Sequence, residues 1–278
     1  MASVFQHLLL ATEHSEFDSG AEALALALAR RCQLPLAAVM PLLSNPEFEA
    51  AAPELATRAD QLAAARIAEL HELAAAQGVP LALQARRGPE LHQEIVDEAR
   101  ERHSDLIVIR RRGQRGLLAN LLLGEMVTRV VAHAPCSVLI VPRAAQMWQQ
   151  RVLVAAEPGA QGERLVDLAA GVAAECRLPV TVVSVAEPSA QVQAGNFVQA
   201  GVARLQQRGL QAEGRVLHGR PYEQILQAGR DAGADLIVIG SRGDVPLARA
   251  LVGGVAQKVI GLAEHPVLVA HTGQRQGD

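Results

Sequence analysis

Short apolar, β-branched runs alternate along this chain with longer alanine- and leucine-rich stretches whose apolar positions recur every three to four residues. The short runs predict strands at about 7–12, 36–40, 81–85, 106–109 and 138–141, and again at 152–156, 180–185, 211–217, 236–239 and 267–270. The longer stretches predict the helices between them. Leu91, Ile95, Val96 and Ala99 form one helical stripe. Ile225, Leu226 and Gly229 form another, with Pro221 in a first turn that tolerates it and Gly233 at the end. Such alternation implies parallel sheets with helical crossovers, doubly wound in the strand order 3-2-1-4-5. Ligands of these sheets bind beyond the carboxyl ends of the strands, where the winding reverses, so the residues after strands one and four matter most.

The five-strand unit occurs twice. Glu13, Cys32, Leu34 and Pro35 recur as Glu157, Cys176, Leu178 and Pro179, each displaced by 144 positions. Asp105-Leu106-Ile107-Val108-Ile109 recurs unchanged as Asp235-Leu236-Ile237-Val238-Ile239, with Arg112-Gly113 and Arg242-Gly243 following, but displaced by 130. The difference localises after the second strand, where 41–48 has no equal in the second copy and is expected to be extra loop. The polar stretch 143–150 reads as the linker, giving domains at 1–144 and 150–273. A length of 278 residues suits two domains better than one.

Composition removes several function classes. Half the residues are hydrophobic, a fifth are charged and the net charge is -3, which favours large cores over disorder or a basic nucleic-acid surface. No uncharged apolar run reaches the ~18 residues of a membrane span, and the start lacks the pattern of a signal peptide, so a cytoplasmic location is expected. Cys32, Cys136 and Cys176 are an odd set at wide spacing and are read as buried thiols. Lys258 is the single lysine among 26 basic residues, which leaves nothing for a Walker A or kinase strand lysine. Six aromatics provide no stacking platform for single-stranded nucleic acid. Among nine histidines, His133 with Cys136 comes nearest to a ligand pair, and His14 beside Glu13 reads as a turn residue. Ser15 and Ser241 lack a nucleophile-elbow context. With no catalytic constellation in view, a non-enzymatic protein is expected.

The richest segment follows strand four of the second copy, where Gly240-Ser241-Arg242-Gly243 is separated by nine residues from Gly253-Gly254 at the start of an amphipathic helix. Glycines there let backbone approach a ligand, and the helix start adds its positive dipole end, a match for phosphate. Ordinary turn and cap glycines account for the same residues equally well.

This segment resembles the G-x2-G-x9-G-[S/T] signature of the universal stress protein family, with Gly240, Gly243 and Gly253 in register and Gly254 in place of Ser or Thr. His133-Ala134-Pro135-Cys136-Ser137-Val138-Leu139-Ile140-Val141 is similar to the family's closing helix-to-strand phrase, and the resemblance covers both halves. It implies two such domains packed through their fifth strands as a pseudo-dimer, with a homodimer of whole chains left open. In members that keep the glycine pattern it also implies an adenine nucleotide site. On that basis Glu157, Val185, Ile239, Gly240, Arg242, Gly243, Gly253, Gly254 and Val255 would surround ATP in the second domain only, with Mg2+ only as a companion of ATP. Glu157 stands where the family has Asp, and Arg242 either neutralises phosphate or is a solvated surface arginine. The first copy departs from the pattern: Arg110 replaces the first glycine, ten residues rather than nine precede Gly124, and Glu125 opens the helix. A sealed or reshaped pocket is expected there, with Glu13 and Arg110 partnering one another. The alternative function is an interaction scaffold of the same fold that binds no nucleotide. Neither nucleic acid nor membrane is an expected partner.

Overall fold

The structure, a computed structural model, describes residues 3–44, 46–111, 124–241 and 252–271. The first half runs β1 (Leu8–Ala11), α1 (Ser19–Cys32), β2 (Leu36–Leu43), α2 (Pro46–Ala51), α3 (Pro53–Ala76), β3 (Leu81–Gly88), α4 (Leu91–Glu101), β4 (Leu106–Arg110), α5 (Glu125–His133) and β5 (Ser137–Val141). The second half repeats the plan as β6 (Val152–Ala155), α6 (Ala160–Cys176), β7 (Val180–Val185), α7 (Gln191–Gln207), β8 (Ala212–Leu217), α8 (Pro221–Ala232), β9 (Leu236–Gly240), α9 (Gly254–Leu262) and β10 (Val267–Ala270). The strands form one sheet in the order β3-β2-β1-β4-β5-β10-β9-β6-β7-β8, so each half reads 3-2-1-4-5. All pairings inside a half are parallel. The halves meet along an antiparallel β5–β10 seam, with Ile140 opposite Val267, Leu139 opposite Leu268 and Val138 opposite Val269.

Strands covered on both faces need apolar side chains at every position, which explains the continuous runs. Leu8 and Leu10 point to a layer made with α1, α3, α6 and α7, whereas Leu9 and Ala11 point to a layer made with α4, α5, α8 and α9. The residues that revealed the duplication have structural roles. In Cys-x-Leu-Pro the unnamed residue takes a left-handed conformation, Gln33 at φ 56° and Arg177 at φ 54°. The following leucine N–H then donates back to Ala29 or Ala173 at 2.9 Å, closing α1 and α6 alike. Asp105 accepts from the N–H groups of Gln6 and His7, and Asp235 from those of Gln149, Gln150 and Arg151. Each aspartate thus ties the chain entering strand one to the start of strand four.

One expectation changes. The extra residues after β2 are not loop: β2 continues to Leu43, α2 follows, and α3 runs for 24 residues against 17 in α7. Pro41 is tolerated because β1 pairs with β2 only as far as Val39, so its missing N–H leaves no ladder bond unmade. Within the 143–150 stretch Trp148 is 3% exposed and joins the apolar layer that includes residues of α1 and α6. Among the described residues, no helix is long and apolar enough to cross a membrane.

Candidate functional site

At the carboxyl ends of β6, β7 and β9 lies a cleft of about 250 Å³. Its walls are Val183, Val185, Ile225 and Ile239, its rim carries Glu157 and Gln161, and Gly253, Gly254 and Val255 close one end. Glu157, Val185, Ile239, Gly240, Gly253, Gly254 and Val255 are therefore brought together; Arg242 and Gly243 lie outside the described residues. The Gly253 N–H donates to the Ser241 carbonyl at 2.9 Å, so the two ends of the glycine segment meet. Gly253 then caps α9, whose first N–H groups have no partner within the helix. Gly254 has open space around it: a Cβ there would meet no protein atom within 4 Å. Gly162 is the opposite case, because a Cβ on it would run into the Glu157 carbonyl and the Phe197 ring. This glycine lets α6 start close against the end of β6, and the sequence reading passed it over because it lies outside the signature.

The matching place in the first half holds only about 10 Å³. Arg110, 6% exposed, fills it. Its guanidinium pairs with Glu13 at 2.9 Å and with Asp18 at 3.2 Å, and donates to the Ser15 hydroxyl at 3.3 Å. Behind it the Thr12 hydroxyl donates to Glu22 at 2.6 Å, and His14 Nδ1 lies 2.9 Å from the same carboxylate. His14, at φ 47°, is thus a turn residue with an acidic partner. The Arg110–Glu13 pairing matches the sequence expectation; Asp18, Ser15 and Glu22 were not foreseen.

Applying the displacements of 144 before the third strand and 130 after it shows how complete the exchange is. Where the first half has Thr12, Ser15, Asp18, Glu22 and Arg110, the second has Ala156, Gly159, Gly162, Val166 and Gly240. A hydrogen-bonded polar plug in one copy corresponds to small or apolar residues in the other. Each plug charge is paired, as burial requires. Glu157 is the sole ionisable side chain among the described residues lining the open cleft, and it is exposed.

Elsewhere, burial and then the nearby Asp105 charge push the Cys136 thiol up to about 12, and burial first of all raises Cys32 and Cys176. Among the described residues, no group of three or more His, Cys, Asp or Glu is placed to hold a metal ion.

Comparison with known proteins agrees with this duplicated layout. The pattern of the universal stress protein family matches twice, over residues 5–142 and 149–271. The universal stress protein Slr1230 of Synechocystis sp. is 25% identical over 164 residues, covering 59% of this chain and 57% of that protein. The chain spans roughly two to three fifths of the length of the curated relatives it matches. A universal stress protein structure from Archaeoglobus fulgidus superposes over 99% of this chain and 98% of its own, with TM-score 0.78 and 18% identity. A structure described as a putative universal stress protein from Pseudomonas aeruginosa gives TM-score 0.71 and 20% identity over 96% of this chain and 93% of its own. At those identities the superpositions speak for the fold. With the family pattern present in both halves, the chain belongs to the universal stress protein family and carries two of its domains in tandem.

Proposed function

We propose that this is a non-enzymatic stress-response protein whose second domain binds ATP or a related adenine nucleotide, one molecule per chain. The observation that carries the reading is the contrast between the two strand-end sites, about 250 Å³ open in one half and about 10 Å³ plugged by Arg110 in the other. The residues present suit the ligand. Val183, Val185, Ile225 and Ile239 offer a flat apolar wall of the kind a purine ring occupies. The exposed Glu157 carboxylate at the rim can accept from an amino or ribose hydroxyl group. The start of α9 supplies unpaired N–H groups and a positive dipole end for phosphate, with Gly254 leaving room for close approach. The reading assigns no residue the role of a base for hydrolysis, and Mg2+ enters the proposal only as the counterion of the nucleotide's phosphates.

Mass spectrometry of ligand released from the purified chain, followed by calorimetric titration with ATP, ADP and AMP, tests the reading. An adenine nucleotide at one site per chain is expected. Two sites per chain would mean that the plugged half also binds, and no binding by any of the three would leave the scaffold alternative.

A further inference from the structure

Arg111 follows the plug residue but turns the other way. Its backbone N–H donates to Val141 at 2.7 Å, and its side chain leaves the first half altogether. One guanidinium nitrogen donates to the Ile260 carbonyl at 3.4 Å and to the Ala263 carbonyl, both at the C-terminal end of α9 in the second half. Burial pushes this guanidinium below its ordinary pKa, and no carboxylate pairs with it among the described residues. A half-buried cation bonded only to helix-end carbonyls is favourable because those carbonyls lack intrahelical donors and carry the negative end of the dipole.

The partnership is one-way. In the first half the equivalent helix, α5, receives its cation from within: Arg100 of α4 donates to the His133 carbonyl at 3.4 Å. The counterpart of Arg100 is Arg230, which turns to Gln227 at 2.7 Å, and at the matching end of α9, where Leu262 and Ala263 stand for His133 and Ala134, the Ala263 carbonyl takes Arg111 from the other half. The counterpart of Arg111 is Ser241, too short to reach back. The two copies have therefore exchanged an internal helix clamp for one supplied across the seam. Helix α9 is nine residues, about 14 Å at the usual rise, and its opposite end, Gly254 and Val255, closes the cleft.

We propose that Arg111 is a positioning residue for the nucleotide cleft of the second domain, holding the far end of α9 so that its first turn stands where phosphate binds. The inference rests on the nucleotide reading above for its effect on affinity, but the clamp itself does not. The first half thus contributes to a site it does not line.

The test uses the full chain as wild type, Arg111→Met, Arg111→Lys and Arg100→Met. ATP titration should show Kd rising roughly tenfold in Arg111→Met, within the usual range of coupling between sites, with partial rescue in Arg111→Lys and no change in Arg100→Met. Equal weakening by Arg100→Met and Arg111→Met would trace the effect to general loosening and overturn the inference. Amide exchange of the ligand-free proteins gives the second readout: the Gln257 N–H, bonded to Gly253 at 3.0 Å in the first turn of α9, should exchange faster in Arg111→Met and recover in Arg111→Lys. Unchanged exchange overturns the clamp. Faster exchange in a chain whose wild type binds no nucleotide would keep the clamp and remove the nucleotide reading.

Discussion

Arg110 holds two carboxylates, and Asp18 among them is only 1% exposed. Arg110→Met removes the cation and leaves that charge buried, which should cost about 3–5 kcal/mol of unfolding free energy; urea denaturation measures it. The variant should still bind no nucleotide in the first half, because Thr12, Ser15 and Glu22 keep that site polar and filled. The cysteines make a second claim at this scale. The Cys136 thiol ionises near 12 in the folded chain and near its ordinary value of 9.0 when exposed. Below about pH 9 both states hold the proton, so its contribution to stability is fully present. Between there and about 12 only the unfolded chain loses it, so stability falls as pH rises. Urea midpoints compared at about pH 8 and about pH 10.5 should show this fall, and a shallower one in Cys136→Ala. An equal slope in both proteins would assign the loss to other groups.

At the scale of elements, two glycines beside the cleft separate packing from binding. Gly162→Ala forces α6 against the end of β6, so it should destabilise by about 1–3 kcal/mol and weaken ATP binding together. Gly254→Ala meets no protein atom within 4 Å and sits in helical backbone. Its melting temperature should hold or rise slightly while ATP binding weakens, since only a ligand would meet the new methyl group. Unimpaired binding would argue that phosphate does not approach the start of α9.

The elements themselves were largely legible in the sequence, because a strand covered on both faces must be apolar throughout and a helix at the rim must show a stripe. The connection after β2 was misread as loop because 41–48 has no equal in the second copy to show its pattern; Pro46, within it, and Pro53 open helices, a position where the missing N–H has no helical partner to lose. At the site, the glycine spacing located the cleft and Glu13 was legible as a partner of Arg110. Asp18 and Glu22 were not, because they enter from the turn and first helix, where nothing in the local pattern marks which side faces the strand ends. The reach of Arg111 was equally hidden: in a run of three arginines, only the folded chain shows that one turns inward and the next crosses to the other half.

For the molecule as a whole, the β5–β10 seam makes the two halves share one sheet and two apolar layers. They should unfold together. Trp148, the one tryptophan, is buried in an apolar layer to which both halves contribute, so its fluorescence and the far-UV circular dichroism should trace superimposable urea transitions. Two separated transitions would mean that the seam couples the halves weakly. The linker also changes what mutation can do. In an assembly of two identical subunits every substitution is made twice, and a plug that closes one site closes both. Joining the copies in one chain frees each position from its twin, so one site can be filled with charge while the other stays open, and an arginine can be placed on one side of the axis alone. The covalent connection therefore makes asymmetry heritable, allowing one half to specialise in supporting the other.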